Sequence, residues 1–538
     1  LPNGSRATLD DLAAHGSQMI SPALLERPGA WRGIGIAAAL GVAASPGLVL
    51  LARFAASPST SWSFGAGFQS AIATSLIVAG AASICALVLG MPCGLLAGLY
   101  RFRVRQVLLA ALALPLLLPS FIWAIGLSML RIDLGISRGG VLSGIFGVVW
   151  SFAALGTPLV VFTTLIAVRL LPAGAVDAAR IAGGERAVLH YCARAAVPAA
   201  LAAAIIGGLV SLADPGPAQI FGVPTVATQI LVSFSALYDF ELAARQGFVA
   251  ALIVVAAAAP VIWFAAGRLI LALRPREIQL MSPRPATEAR FVGPFLLAGV
   301  VLATFVLPVA GIIRPAFSDP SIAAVQAAIA RTSGNTLYYA LLAGLIATTF
   351  GLALALCSAR FAVSRAVVLG ALTLIFVVPP AVGALGIVFL AGEAPAWLDP
   401  VLRSRFTVAG VLGLRLTAIA TVVLLRAIGS ASPSWALAAT VHGVSLASYG
   451  RRVLAPFLLR PILTSIALVG LVATADITTV LLLQPPGRDS LPVAIFTVMA
   501  NAPESMVATL CAAYLLIGCG VIFALMLMTN VFKRQVSL

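Results

Sequence analysis

The chain has 538 residues, of which 61% are apolar and 9% charged, and its mean hydropathy is +1.10. A water-soluble domain carries about 45–50% apolar and about 25% charged residues, so a soluble enzyme, a disordered protein and a free nucleic-acid binder are excluded. The net charge of +16, from 32 Arg and one Lys against 17 acids, gathers in short turns between apolar runs, the pattern of cations retained in cytoplasmic loops, and no nucleic-acid partner is expected.

Residues 1–32 are polar and of mixed charge and predict a cytoplasmic N-terminal segment. The first apolar run, 33–52, is not followed by a small-residue cleavage site, so no signal peptide is read. A spanning helix needs about 20 largely apolar residues. Runs of that kind follow at 70–98, 107–127, 145–169, 198–216 and 246–268, completing a first half over 33–268. The polar, Pro-containing stretch 269–292, with Arg274-Pro275-Arg276-Glu277, predicts a cytoplasmic linker. Further runs at 293–313, 335–358, 367–391, 407–427, 457–477 and 506–529 make a second half over 293–530, followed by a cytoplasmic tail, 531–538. The expected fold is an all-α integral membrane protein of about 12 transmembrane helices in two tandem six-helix repeats. With the N-terminus inside, 23 of the 33 cations fall on the cytoplasmic side. The other 10, Arg53, Arg314 and Arg415 among them, are counted outside, and both termini are expected in the cytoplasm.

Local features recur between the halves. Leu118-Pro119-Ser120 through Gly126 matches Val378-Pro379-Pro380 through Gly386 at an offset of 260, and Gly183 matches Gly443 at the same offset. The stretch ending in Asp214 matches the stretch ending in Asp476 at an offset of 262. Such parallel repeats place a pathway on the axis between the halves. Pro115 and Pro119, and Pro379 and Pro380, lie within the third and ninth spans, where a missing backbone donor kinks a helix and shapes a cavity. Asp214 and Asp476 either line that path or cap the helix that follows each of them. The acids Asp133, Asp239, Glu241, Asp319, Glu393, Asp399, Asp489 and Glu504 are expected as a solvated outer rim. The six cysteines lie mostly in apolar runs without metal-ligand spacing and read as packing residues.

Between the fourth and fifth span of each half lies a longer loop of helical pattern. The first contains Asp177-Ala178-Ala179-Arg180-Ile181-Ala182-Gly183, the second Leu437-Ala438-Ala439-Thr440-Val441-His442-Gly443. Ala keeps such a helix stable and its surface low, and Gly permits a sharp change of direction, which predicts a knob suited to a groove on a cytoplasmic partner. His190 and His442 fall in these loops and read as solvated. A P-loop needs a Lys in G-x-x-x-x-G-K-[ST]; Lys533 is the only Lys and Arg534 follows it, so any ATP hydrolysis must occur on another chain.

The order acidic-Ala-Ala, three residues, Gly, and then a Pro at the next span resembles the EAA loop of permease subunits of bacterial type I ABC importers. The segment Ala475-Asp476-Ile477-Thr478-Thr479 through Gln484-Pro485-Pro486-Gly487 further resembles the fused double permeases of the ferric-iron group, whose relatives carry thiamine, polyamines or phosphonates. The resemblance implies two ATPase subunits docked under the loops, holding ATP and Mg2+, with no cofactor on this chain. It also implies a periplasmic substrate-binding protein and a place in the bacterial inner membrane. Coupling is then assigned to Asp177, Ala178, Ala179, Gly183, Leu437, Ala438, Ala439, His442 and Gly443, and the pathway to Pro119, Asp214, Pro379 and Asp476. Two departures predict asymmetric docking. Leu437 stands in the acidic position, and Gly183 lies 15 residues before Pro198 where Gly443 lies 13 before Pro456. The competing class is a secondary transporter of two parallel six-helix halves driven by an ion gradient.

Overall fold

The computed structural model describes residues 22–25, 29–56, 64–137, 142–272, 281, 284–285, 292–318 and 322–536. The rest of the N-terminal segment, most of the linker and the last two residues of the tail lie outside them. The first half runs α1 (Ala30–Ala56), α2 (Phe68–Leu99), β1 (Tyr100–Arg101), α3 (Arg105–Leu117), α4 (Ser120–Asp133), α5 (Gly144–Arg169), α6 (Ala173–Leu212), α7 (Gly216–Ile220), α8 (Val226–Ser235) and α9 (Phe240–Ala272). The linker contributes β2 (Arg284–Pro285), which pairs in parallel with β1.

The second half opens with α10 (Val292–Val301), a π-turn and α11 (Leu307–Ser318), followed by α12 (Ile322–Ser358), α13 (Ala362–Val377), α14 (Pro380–Glu393), α15 (Asp399–Leu402) and α16 (Arg405–Arg415). It closes with α17 (Thr417–Ser430), α18 (Pro433–Val441), α19 (Leu446–Tyr449), α20 (Ala455–Ala475), α21 (Ile477–Leu483), α22 (Leu491–Val498) and α23 (Glu504–Val536).

The protein is thus an all-α membrane-type fold. Among the described residues, nine helical segments are long and apolar enough to cross a membrane, and three bent pairs raise the number to twelve if each is one span. The pairs are α3 with α4, bent by 103°, α13 with α14, by 79°, and α16 with α17, by 51°. The first two breaks fall at the repeated prolines. Pro119 and Pro379 each precede the first residue of the outer segment with ψ near 130°, and Pro380 takes the first helical position, where a missing N–H costs nothing. Pro115 is different from its expected role, since it sits buried inside α3 without breaking it. The break at Leu416 has no proline and was not expected. Along the bundle exterior, large apolar side chains such as Ile77, Trp263, Phe264 and Leu516 are exposed, as a lipid-facing surface requires.

Helices inside each half approach through small residues. Gly90, Gly94 and Gly98 let α2 lie against Thr157, Val161, Thr164 and Val168 of α5, the spacing that lets helices pack without a hydrophobic driving force. The leading helices behave otherwise. Helix α1 packs on α12, α13, α14 and α16 of the second half, and α10 with the π-turn and α11 packs on α2, α3, α4 and α5 of the first. Each half therefore lends its first span to the other.

The exchange has three levels. At one end, the Ala23 N–H donates to Thr440 Oγ1 beside α18 (3.1 Å), and the Met281 N–H donates to the Leu171 carbonyl (3.2 Å) with the Met281 side chain buried near Leu99, Val176 and Val188. In the middle, Pro46 meets Gly386 and Pro308 meets Gly126. At the other end, Arg53 pairs with Glu393, and Arg314 with Asp133 at 3.0 Å. A core containing Phe121, Trp123, Val382, Leu385, Leu412 and Phe496 joins the halves, with Phe121 and Phe496 edge to face at 5.7 Å.

Candidate functional site

Two loops and one central cluster carry the polar and conformational features that packing does not consume. In the first loop, α6 is interrupted at Gly183 (φ −159°, ψ 23°) and Gly184 (φ 67°, ψ −157°). Only the second of these conformations demands glycine. The change of direction predicted at Gly183 spans both glycines: each departs from helical geometry, and Gly184 takes the positive φ. Before the turn, Asp177 Oδ1 accepts from Arg180 at 2.9 Å, and Arg180 Nε donates to Glu185 Oε1 at 2.6 Å across the turn. The Tyr100 hydroxyl donates to Glu185 Oε2 at 2.7 Å. Burial, with the Glu185 carboxylate second, pushes Tyr100 above its ordinary pKa and keeps it a donor. The acid of the motif is thus engaged within its own loop.

The second loop is a helix end of a defined kind. Ser432 caps α18 and Pro433 is its first residue. At the far end the Val444 N–H donates to the Ala439 carbonyl (2.9 Å) and the Gly443 N–H to that of Thr440 (3.0 Å), with Gly443 at φ 66°. That is a Schellman motif, with glycine in the left-handed position it requires. Ser445 then caps α19, and a π-turn over Gly450–Leu454 leads into α20. Ala178, Ala438, His442 and Gly443 are exposed, and Ala179 and Ala439 half-buried. Ile181 is 89% exposed, Val441 84% and Leu437 52%. Ile181 and Val441 occupy the same place in the two loops, 260 residues apart.

Each loop leads by one helix to an aspartate between the halves. Asp214 Oδ1 accepts the Gly216 N–H at 2.9 Å and Asp214 also bonds the Ser120 hydroxyl, which follows Pro119. Asp476 caps α21, accepting the Thr479 N–H and hydroxyl at 3.0 Å each. It also forms an ion pair with Arg415 at 2.8 Å, with 5% of the aspartate side chain and 15% of the arginine side chain exposed. Arg415 in turn donates to the Phe376 carbonyl at 3.0 Å. In an unbroken helix that carbonyl would receive the N–H of residue 380, which is proline. The guanidinium thus supplies the donor that Pro380 lacks. Asp476 and Arg415 both act electrostatically on Asp214, so a carboxylate from each half and one arginine share the centre.

Of the two roles expected of the aspartates the capping one is seen: each accepts a backbone N–H two or three residues on, beside a proline break. Sequence reasoning missed Arg415 and Ser120. Counting Arg415 with the outer cations is corrected; it is buried and paired at the break between α16 and α17. The signal available was an Arg in the middle of the run 407–427, with Arg426 only at its end, since a charge in a span calls for a partner.

Several rim acids are engaged as well. Glu241 pairs with Arg53 at 2.6 Å and Asp399 with Arg403 at 2.6 Å, while Asp239 accepts the Leu242 N–H at 2.8 Å. Asp319 lies outside the described residues. Cys93, Cys192, Cys357 and Cys511 are buried, and no group of three His, Cys, Asp or Glu among the described residues is placed to hold a metal. Comparison with family models, curated proteins and solved structures returns no match.

Proposed function

We propose that the chain is the fused permease subunit of a binding-protein-dependent type I ABC importer of the bacterial inner membrane, with both termini in the cytoplasm. The observation that carries this reading is the pair of repeat-related loops, each exposing a β-branched apolar tip, Ile181 or Val441, beside a glycine in a conformation reserved for glycine. Isolated exposed apolar side chains are ordinary, but two at equivalent positions fit a partner presenting the same groove twice. Two ATPase subunits holding ATP and Mg2+ are that partner, and a periplasmic protein delivers cargo to the opposite face.

The coupling path follows the helices. The second part of α6, 185–212, extends about 42 Å and α20 about 31 Å at 1.5 Å per residue, from loop to central aspartate. Closure of the ATPases would press the loops together, and the displacement would reach Asp214 and Asp476 through these rods. The resemblance over 475–487 favours Fe(III) over thiamine, a polyamine or a phosphonate as cargo.

The test is reconstitution with a candidate ATPase encoded beside the gene. ATP-dependent uptake and ATPase binding are expected, and Ile181→Asp with Val441→Asp abolishes both. Uphill transport on an ion gradient by the purified chain alone would overturn the reading in favour of a secondary transporter.

A further inference from the structure

Arg101 lies two residues after the end of α2, Arg105 is the first residue of α3, and Arg169 is the last residue of α5. Three helices thus bring their ends, and three guanidinium groups, to one spot on the face of the membrane that carries the first loop, which begins four residues after Arg169. Arg101 and Arg169 act electrostatically on Arg105, and Arg101 on Arg169. Among the described residues none of the three has an ion pair or a side-chain hydrogen bond. The Nε atoms of Arg105 and Arg169 are buried without a partner. The adjacent carboxylate, Glu185, is occupied by Tyr100 and Arg180. Helix α3 starts here with no side-chain cap, so the positive end of its dipole lies beside the negative ends of α2 and α5.

Duplication does not explain this crowding. At an offset of 260 the second half has Phe361, Arg365 and Gly429. There Arg365 keeps the place of Arg105, and Arg32 donates to the Leu356 and Cys357 carbonyls at 3.2 and 3.0 Å and stacks on Phe361. The second half sets Arg32 on backbone carbonyls near Arg365, whereas the first assembles three arginines with no ion pair among the described residues.

We infer that Arg101, Arg105 and Arg169 form a binding site for the phosphate group of an anionic lipid headgroup. A phosphate offers acceptor oxygens to several guanidinium groups at once, and the helix ends stand at headgroup depth, where basic pockets collect anionic lipid. The inference does not depend on the importer reading and is tested without transport.

The full-length protein is purified in micelles. Its thermal midpoint is followed on titration with phosphatidylglycerol, with phosphatidylcholine and with inorganic phosphate, and native mass spectrometry counts retained lipid. Wild type is expected to bind phosphatidylglycerol at least about tenfold more tightly than Arg105→Gln/Arg169→Gln does. In phosphatidylcholine the double variant should melt no lower than wild type, because like-charge crowding has been removed. Arg103→Gln, which deletes a charge from the same loop outside the cluster, should keep wild-type affinity. Equal affinity in wild type and double variant overturns the site. So does a double variant less stable in phosphatidylcholine, or an Arg103→Gln loss as large as that of the double variant. A response to inorganic phosphate with none to phosphatidylglycerol overturns the lipid as the source.

Discussion

Gly386 receives the backbone of Pro46 so closely that a Cβ there would collide with the Pro46 carbonyl oxygen, and Gly126 receives Pro308 in the same way. The two contacts are repeat mates, 260 residues apart on the glycine side and 262 on the proline side. Each joins a leading helix of one half to the outer segment of a broken span in the other. Gly126→Ala and Gly386→Ala are each expected to cost about 1–3 kcal/mol by overpacking. Gly383→Ala, whose Cβ would meet Pro46 Cβ at 3.5 Å, should be tolerated. Thermal midpoints of the three variants in micelles check this.

Arg415→Met removes the partner of a buried carboxylate and the donor to the Phe376 carbonyl. Loss of one member of a buried pair costs about 3–5 kcal/mol. Adding Asp476→Asn should restore part of that stability, giving a non-additive cycle. If stabilities of single and double variants simply add, the ion pair does not hold the break at Pro380.

At the loops, Gly184→Ala and Gly443→Ala each force a side chain into a conformation costing of order 1–3 kcal/mol. ATPase capture by either variant should fall while the membrane-embedded remainder keeps its melting behaviour. Pull-down from membranes co-expressing the candidate ATPase measures the first, and a thermal scan the second.

The outer ends offer a test of the exchange itself. In a cysteine-free background, Arg53→Cys with Glu393→Cys should be joined by a short bis-maleimide crosslinker, visible as a covalent heterodimer after cleavage at a protease site placed within 273–280. Arg314→Cys with Asp133→Cys should do the same. Charge reversal at these exposed pairs is expected to cost only about 0.2–1 kcal/mol. Arg53→Glu should cost more than Arg314→Glu, since Arg53 also pairs with Glu241.

How much of this was readable in the chain follows from which forces act locally. Apolar runs reveal spans because lipid selects side chains one at a time, and the breaks at Pro119 and Pro379 are legible because proline removes a donor wherever it stands. The loops were legible through their Ala-Gly pattern, but not that the second glycine, Gly184, takes the positive φ. The break at Leu416 escaped because its charged neighbour, Arg415, is anchored by Asp476, 61 residues away. The lending of α1 and α11 was invisible for a deeper reason. A repeat states that two segments are alike, and a glycine notch does not say which of two similar helices will fill it.

That lending sets the terms on which the molecule can be divided. A polypeptide ending at the linker would carry a leading helix without α12, α13, α14 and α16, on which it packs, and the groove at Gly126 would lie bare to the bilayer. A single half could cover both surfaces only by exchanging its leading helix with a second half.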